Sequence, residues 1–163
     1  MRLTFALIVA LVLFFNLLPL EMRPDRWVGP DLVIAFAFAW SLRRPEYVPA
    51  PALAILFLLV DLLLFRPPGL WAMLALLACE NLKLRARSLR DSSFAAEWIT
   101  VCVLMVIVAV AYRVLLMVTL VDLPPFGLSL LELVITILAY PLVVAVTHGI
   151  LGVRKIAPGE LDT

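Results

Sequence analysis

Residues 58–71 read LLVDLLLFRPPGLW. One acid, Asp61, stands inside an apolar run that ends on Arg66, Pro67, Pro68 and Gly69, and the next apolar run opens at Leu70. Proline donates no backbone hydrogen bond and glycine tolerates conformations closed to other residues, so RPPG predicts a sharp reversal between two helices. A carboxylate within a membrane-spanning helix costs ~2.5–3.5 kcal/mol on insertion scales and needs a partner. The reversal folds the second helix back beside Asp61, with its first N–H groups, near Leu70 and Trp71, unpaired. Asp61 is expected to accept hydrogen bonds from them or from the turn and so lock the hairpin. An ion pair with Arg113 and a ligand-binding role are the alternatives.

The rest of the chain has the same character. Of 163 residues, 65% are hydrophobic and 15% charged, against about half and about a quarter in soluble domains. An integral membrane protein is expected, with one helical domain over residues 1–153 and a short cytoplasmic tail over 154–163. The formal net charge of +1 gives no reason to expect nucleic-acid binding. Cys79 and Cys102 lie in apolar runs, without the spacing of a metal site or a disulfide framework, and read as small packed side chains.

Working outward from the hairpin, apolar runs bounded by charge or proline mark the spans. Leu3–Leu20 follows Arg2 and covers about 27 Å at the helical rise. It has no convincing cleavage site and reads as an uncleaved first helix. After the charged loop EMRPDRWVG, Pro30 suits the first position of a helix. The second run, Leu32–Leu42, covers only about 17 Å, so it must borrow length from its flanks, thin the bilayer or be sheltered by other helices. RRPEYVPAP separates it from the third run, Ala52–Phe65. The fourth begins with Leu70–Cys79 and is expected to continue amphipathically through ENLKLRARSLR along the membrane surface. Asp91, Ser92 or Ser93 caps the fifth helix, DLPPFG is another turn, and Leu130–Leu151 is the sixth run. The fold class expected is all-α and polytopic, with six transmembrane helices. Five, with the second run half inserted, is the alternative. With six spans, Arg2, Arg43, Arg44, Lys83, Arg85, Arg87, Arg90, Arg154 and Lys155 share one side, so both termini are expected in the cytoplasm.

The remaining charges each invite a structural and a functional reading. Asp31 follows Pro30 at a helix start, and Ser129-Leu130-Leu131-Glu132 has the pattern of a capping box, so capping is expected for both acids. Arg113 lies deep and requires an acid if its helix starts at Ile99, which would gather Asp61, Arg113 and Glu132 into an intramembrane charge cluster. It reaches the interface if the helix starts at Phe94. Glu80 and His148 fall near helix ends, and one histidine without a neighbouring nucleophile is weak support for catalysis. The basic cluster from Lys83 to Arg90 is first a topology signal and second a surface for anionic headgroups or an acidic partner. The sequence carries no G-x-S-x-G, H-E-x-x-H, P-loop or paired-cysteine motif, and neither catalytic residues, a metal nor a cofactor is expected.

The stretch Gly29–Leu74 resembles the rod shape-determining protein MreD family. The resemblance rests on Pro30-Asp31 before an apolar helix, on Arg43-Arg44-Pro45-Glu46 as a turn, on Asp61 late in the next run, and on Pro68-Gly69-Leu70 opening another. It implies a fold similar to that of the substrate-binding S-components of vitamin transporters. It also implies a non-enzymatic scaffold in a bacterial inner membrane, part of the elongation machinery that inserts side-wall peptidoglycan and maintains rod shape. The implied partners are MreC, bound directly, and MreB, RodA and a class B penicillin-binding transpeptidase, engaged indirectly. Pro30, Asp31, Arg43, Arg44, Pro45, Asp61, Pro68 and Gly69 would serve structural or partner-contact roles. The short second run offers a groove for MreC. An S-component-like binder of a lipid or small molecule is the alternative function; fold analogy alone is weak support for it.

Overall fold

A computed structural model describes residues 29–89 and 92–149. Among them every regular element is helical: α1 (Leu32–Arg43), α2 (Ala50–Leu63), α3 (Leu70–Ala86), α4 (Phe94–Val118) and α5 (Phe126–Gly149), with a 3₁₀ turn at Pro45–Tyr47. The first run, Leu3–Leu20, its following loop and the tail after residue 149 lie outside the described residues.

The helix boundaries follow from local chemistry. Asp31 caps α1, its Oδ1 accepting from the Ile34 N–H at 3.2 Å. Pro30 therefore precedes the cap and is not the first helical residue, because the Asp31 side chain occupies the cap position that Pro30 cannot fill. Proline at 45 disfavours the helical conformation at Arg44, and α1 ends there with Arg44 outside the helical region at φ −145°. Ser93 caps α4 by accepting from Ala96, so of the two starts open to this helix the one at Phe94 is realised. The capping box at Ser129 and Glu132 does not form. The helix already begins at Phe126, and the Ser129 hydroxyl, inside its first turn, donates to the Pro125 carbonyl at 3.4 Å.

Helix α1 is the centre of the molecule. Every residue from Val33 to Arg43 is buried, and the helix packs against both α3 and α5. At twelve residues it rises about 18 Å. Of the ways open to so short an apolar run, it is the sheltered one that occurs. Its Ala, Phe and Trp side chains belong to the core, so among the described residues this helix offers no broad exposed side. α3 meets it through small residues, Ala72, Ala75, Ala78 and Cys79, which allow close backbone approach. Leu82 continues this buried stripe at 0% exposure. The helix continues past Glu80 to Ala86, with Leu82 buried and Leu84 82% exposed, so this stretch has one buried and one exposed side.

α4 and α5 are long and apolar enough to cross a membrane. On α4, Val101, Met105, Val108 and Leu116 are buried while Ile99, Val103, Val106, Val110 and Val114 are exposed. Both sides of the helix are therefore apolar, as expected where the outer side meets hydrocarbon and not water. α5 contains Pro141, which has no N–H to offer the carbonyl of Ile137 four residues earlier. The Trp98 indole N–H of α4 donates to that carbonyl at 3.2 Å. Replacing Trp98 by Phe leaves the carbonyl unpaired and is expected to destabilise the protein by ~1–2 kcal/mol. In a Pro141→Ala background, where an N–H is restored, the same replacement is expected to be nearly neutral. A double-mutant cycle in detergent reads the difference, and equal effects in both backgrounds would show that the indole bond is incidental.

Candidate functional site

Two polar clusters hold α1, one at each end. At its C-terminus the Arg43 guanidinium grips Glu97 in a two-pronged pair, Nε to Oε1 at 3.1 Å and Nη2 to Oε2 at 3.3 Å. Tyr140 donates its hydroxyl to Glu97 Oε1 at 3.2 Å. The side chains are 8% and 0% exposed for Arg43 and Glu97, and Tyr140 is fully buried. Arg43 ends α1 and Glu97 lies in the first turn of α4, so each charge also sits at the helix terminus whose dipole favours it. Three helices, α1, α4 and α5, are joined through one carboxylate. Arg44 and Pro45 continue the turn: Arg44 pairs with Glu46 at 3.3 Å and covers the Tyr47 ring, and the Pro45 carbonyl accepts from Val48.

At the N-terminal end the cluster centres on Arg66, from the α2–α3 turn. Its guanidinium lies 3.7 Å from Asp31 and 3.5 Å from Glu132, and stacks 5.1 Å above the Trp71 ring. The Asp31 N–H donates to Thr136 Oγ1 at 2.9 Å, and that hydroxyl donates to the Glu132 carbonyl at 2.7 Å. Trp71 meets Tyr112 of α4 edge-on, with ring centroids 5.1 Å apart.

Asp61 takes part in neither cluster. It is fully buried, and Oδ2 accepts from the Gly69 N–H at 2.9 Å and the Ala72 N–H at 3.1 Å. These are N–H groups at the start of α3, the reach-back contact expected of it. Gly69 is the N-cap of α3 and has no side chain to accept from its own helix, so Asp61 performs the capping from the neighbouring helix. Gly69 adopts φ +88°, a left-handed conformation in which glycine is unstrained. Pro68 stands just before it, in the turn.

Among the described residues no ion pair joins Asp61, Arg113 and Glu132. Arg113 lies in the last third of α4, near the Asp31 end, with its guanidinium 5.0 Å above the Phe126 ring. Asp61 is committed to backbone N–H groups, and the cation beside Glu132 is Arg66. Sequence reading missed Glu97, Tyr140 and Thr136. Glu97 had one legible signal, an acid in the first turn after the Ser93 cap.

Between the Asp31 end of α1, the α2–α3 turn and the facing walls of α4 and α5 lies a cavity of about 400 Å³. Ile34, Met105, Ala109, Leu116 and Leu133 form its apolar wall, and Asp31, Arg66, Arg113, Asp122 and Glu132 contribute charge. Among the described residues no group of His, Cys, Asp or Glu is arranged to hold a metal ion. No family model matches this chain, and no curated protein or solved structure matches it either.

Proposed function

We propose that the chain is a non-enzymatic membrane scaffold of the bacterial elongation machinery, acting through MreC and indirectly with MreB, RodA and a class B transpeptidase. One observation carries the reading. In the stretch that resembles the MreD family, the charged residues Asp31, Arg43, Arg44, Glu46, Asp61 and Arg66 all engage other groups of the same chain. They define a shape and are not aimed at a reacting atom. Six spans are proposed, with Leu3–Leu20 as the first and α1 to α5 as the rest, α1 and α2 being sheltered and short. Arg43, Arg44, Lys83, Arg85 and Arg87 gather at the end opposite Asp31, which supports placing that end in the cytoplasm of the inner membrane. With α1 enclosed, the faces open to the transmembrane helix of MreC are the exposed apolar sides of α2, α4 and α5. Association there rests on close packing, since lipid removes the hydrophobic drive.

Depletion in a rod-shaped host tests the proposal. Cells are expected to round up within a few generations, and tagged chain is expected to co-purify with MreC. Normal rods throughout depletion, with or without a nutritional defect, would overturn the scaffold reading.

A further inference from the structure

The rim of the cavity carries both signs of charge in an unbalanced arrangement. Arg66 is shared by two carboxylates, Asp31 and Glu132, so one negative charge of that group is left without a cation of its own. Asp122 adds a third carboxylate to the lining, beside Asp31 and Glu132. Arg113 is the reverse case: its contact is the Phe126 ring, and no carboxylate lies within ion-pair distance of it among the described residues. A half-buried guanidinium over an aromatic ring, with no carboxylate beside it, can donate to a planar or tetrahedral oxyanion. Behind this rim the wall is apolar, with Ile34, Met105 and Leu116 all buried. A volume of about 400 Å³ has room for roughly a dozen water-sized groups, a length of hydrocarbon chain.

We infer that this cavity seats one acyl chain of a zwitterionic phospholipid, with the phosphate at Arg113 and the ammonium at Glu132 and Asp122. A purely anionic head would satisfy Arg113 and meet two carboxylates. A purely cationic one would leave Arg113 unmatched. A head with both charges answers both sides of the rim. This ligand site stands apart from the scaffold proposal and does not depend on it.

The test uses the full chain in nanodiscs of phosphatidylethanolamine and phosphatidylglycerol, with a trace of phosphatidylethanolamine bearing a diazirine on one acyl chain. Labelling is mapped by mass spectrometry. Met105, Ala109 and Leu116 are expected to be labelled, and unlabelled phosphatidylethanolamine is expected to compete. Exposed Val106 and Val110 on the outer side of α4 serve as internal control, because any bilayer lipid reaches them. Ala109→Phe is expected to abolish labelling inside the cavity and leave the control sites unchanged. Arg113→Gln, a rim change that spares the core, is expected to lower cavity labelling about tenfold, the loss of one charge-assisted contact. Labelling of Met105, Ala109 and Leu116 no stronger than in the unfolded chain, labelling unchanged by both variants, or a polypeptide segment recovered in the cavity in place of lipid would overturn the inference. Equal competition by phosphatidylglycerol would overturn the zwitterionic assignment.

Discussion

Glu97→Ala is expected to lower stability by about 3–5 kcal/mol, the effect of leaving a buried guanidinium without its partner. The carboxylate is fully buried and receives Arg43 through two prongs and Tyr140 through a third bond. Removing it strands a cation and a hydroxyl between α1, α4 and α5. Arg43→Met takes the two-pronged cation away from a buried carboxylate and is expected to be comparably harmful. The double replacement Arg43→Met with Glu97→Leu removes both charges and fills the space with apolar groups, and is expected to recover most of the loss. Tyr140→Phe removes one neutral donor and should cost only ~1 kcal/mol. Tryptophan fluorescence during denaturant titration of the detergent-solubilised protein measures all four. Single variants as stable as wild type, or a double variant as poor as the two losses added, would show that this pair is peripheral to the fold.

That pair also marks the limit of what the sequence discloses. The helices were legible because apolar length and proline punctuation are local signals. Ser93 and Asp31 were legible as caps, since a cap bonds to backbone three residues away. Arg43 was visible only as one of two arginines in a turn, a topology marker. Its burial depends on Glu97, 54 residues away, which no periodicity links to it. The same holds for the choice between Arg66 and Arg113 as the cation beside Glu132. Both stand near the Asp31 end, and the decision is made by the α2–α3 turn, which swings Arg66 across Trp71 toward α5. Trp98 and Pro141 show a third kind of blindness. A proline in an apolar run reads as a kink, and the group that satisfies the freed carbonyl comes from another helix.

At Asp61 the local and the distant signals meet. Its carbonyl accepts from the Arg66 N–H at 2.9 Å, five residues on, while the Phe65 N–H reaches the Leu62 carbonyl at 3.4 Å. These two bonds close α2 in a Schellman turn, with Phe65 in the left-handed conformation at φ 53°. The carboxylate of the same residue then caps α3. One residue thus ends one helix with its backbone and begins the next with its side chain. Asp61→Leu keeps the first bond and removes the second pair, leaving the Gly69 and Ala72 N–H groups unpaired at a buried site. Each such orphan costs about 1–3 kcal/mol, so a loss of roughly 2–6 kcal/mol is expected. Asp61→Asn retains an acceptor oxygen at nearly the same place and gives up only the charge, and is expected to lose about 1 kcal/mol. The order wild type, Asn, Leu should therefore appear in membrane accumulation and in denaturation midpoints. If the Leu variant accumulates and folds as well as wild type while the Asn variant does not, the acid is not a cap, and its charge must serve something other than the hairpin.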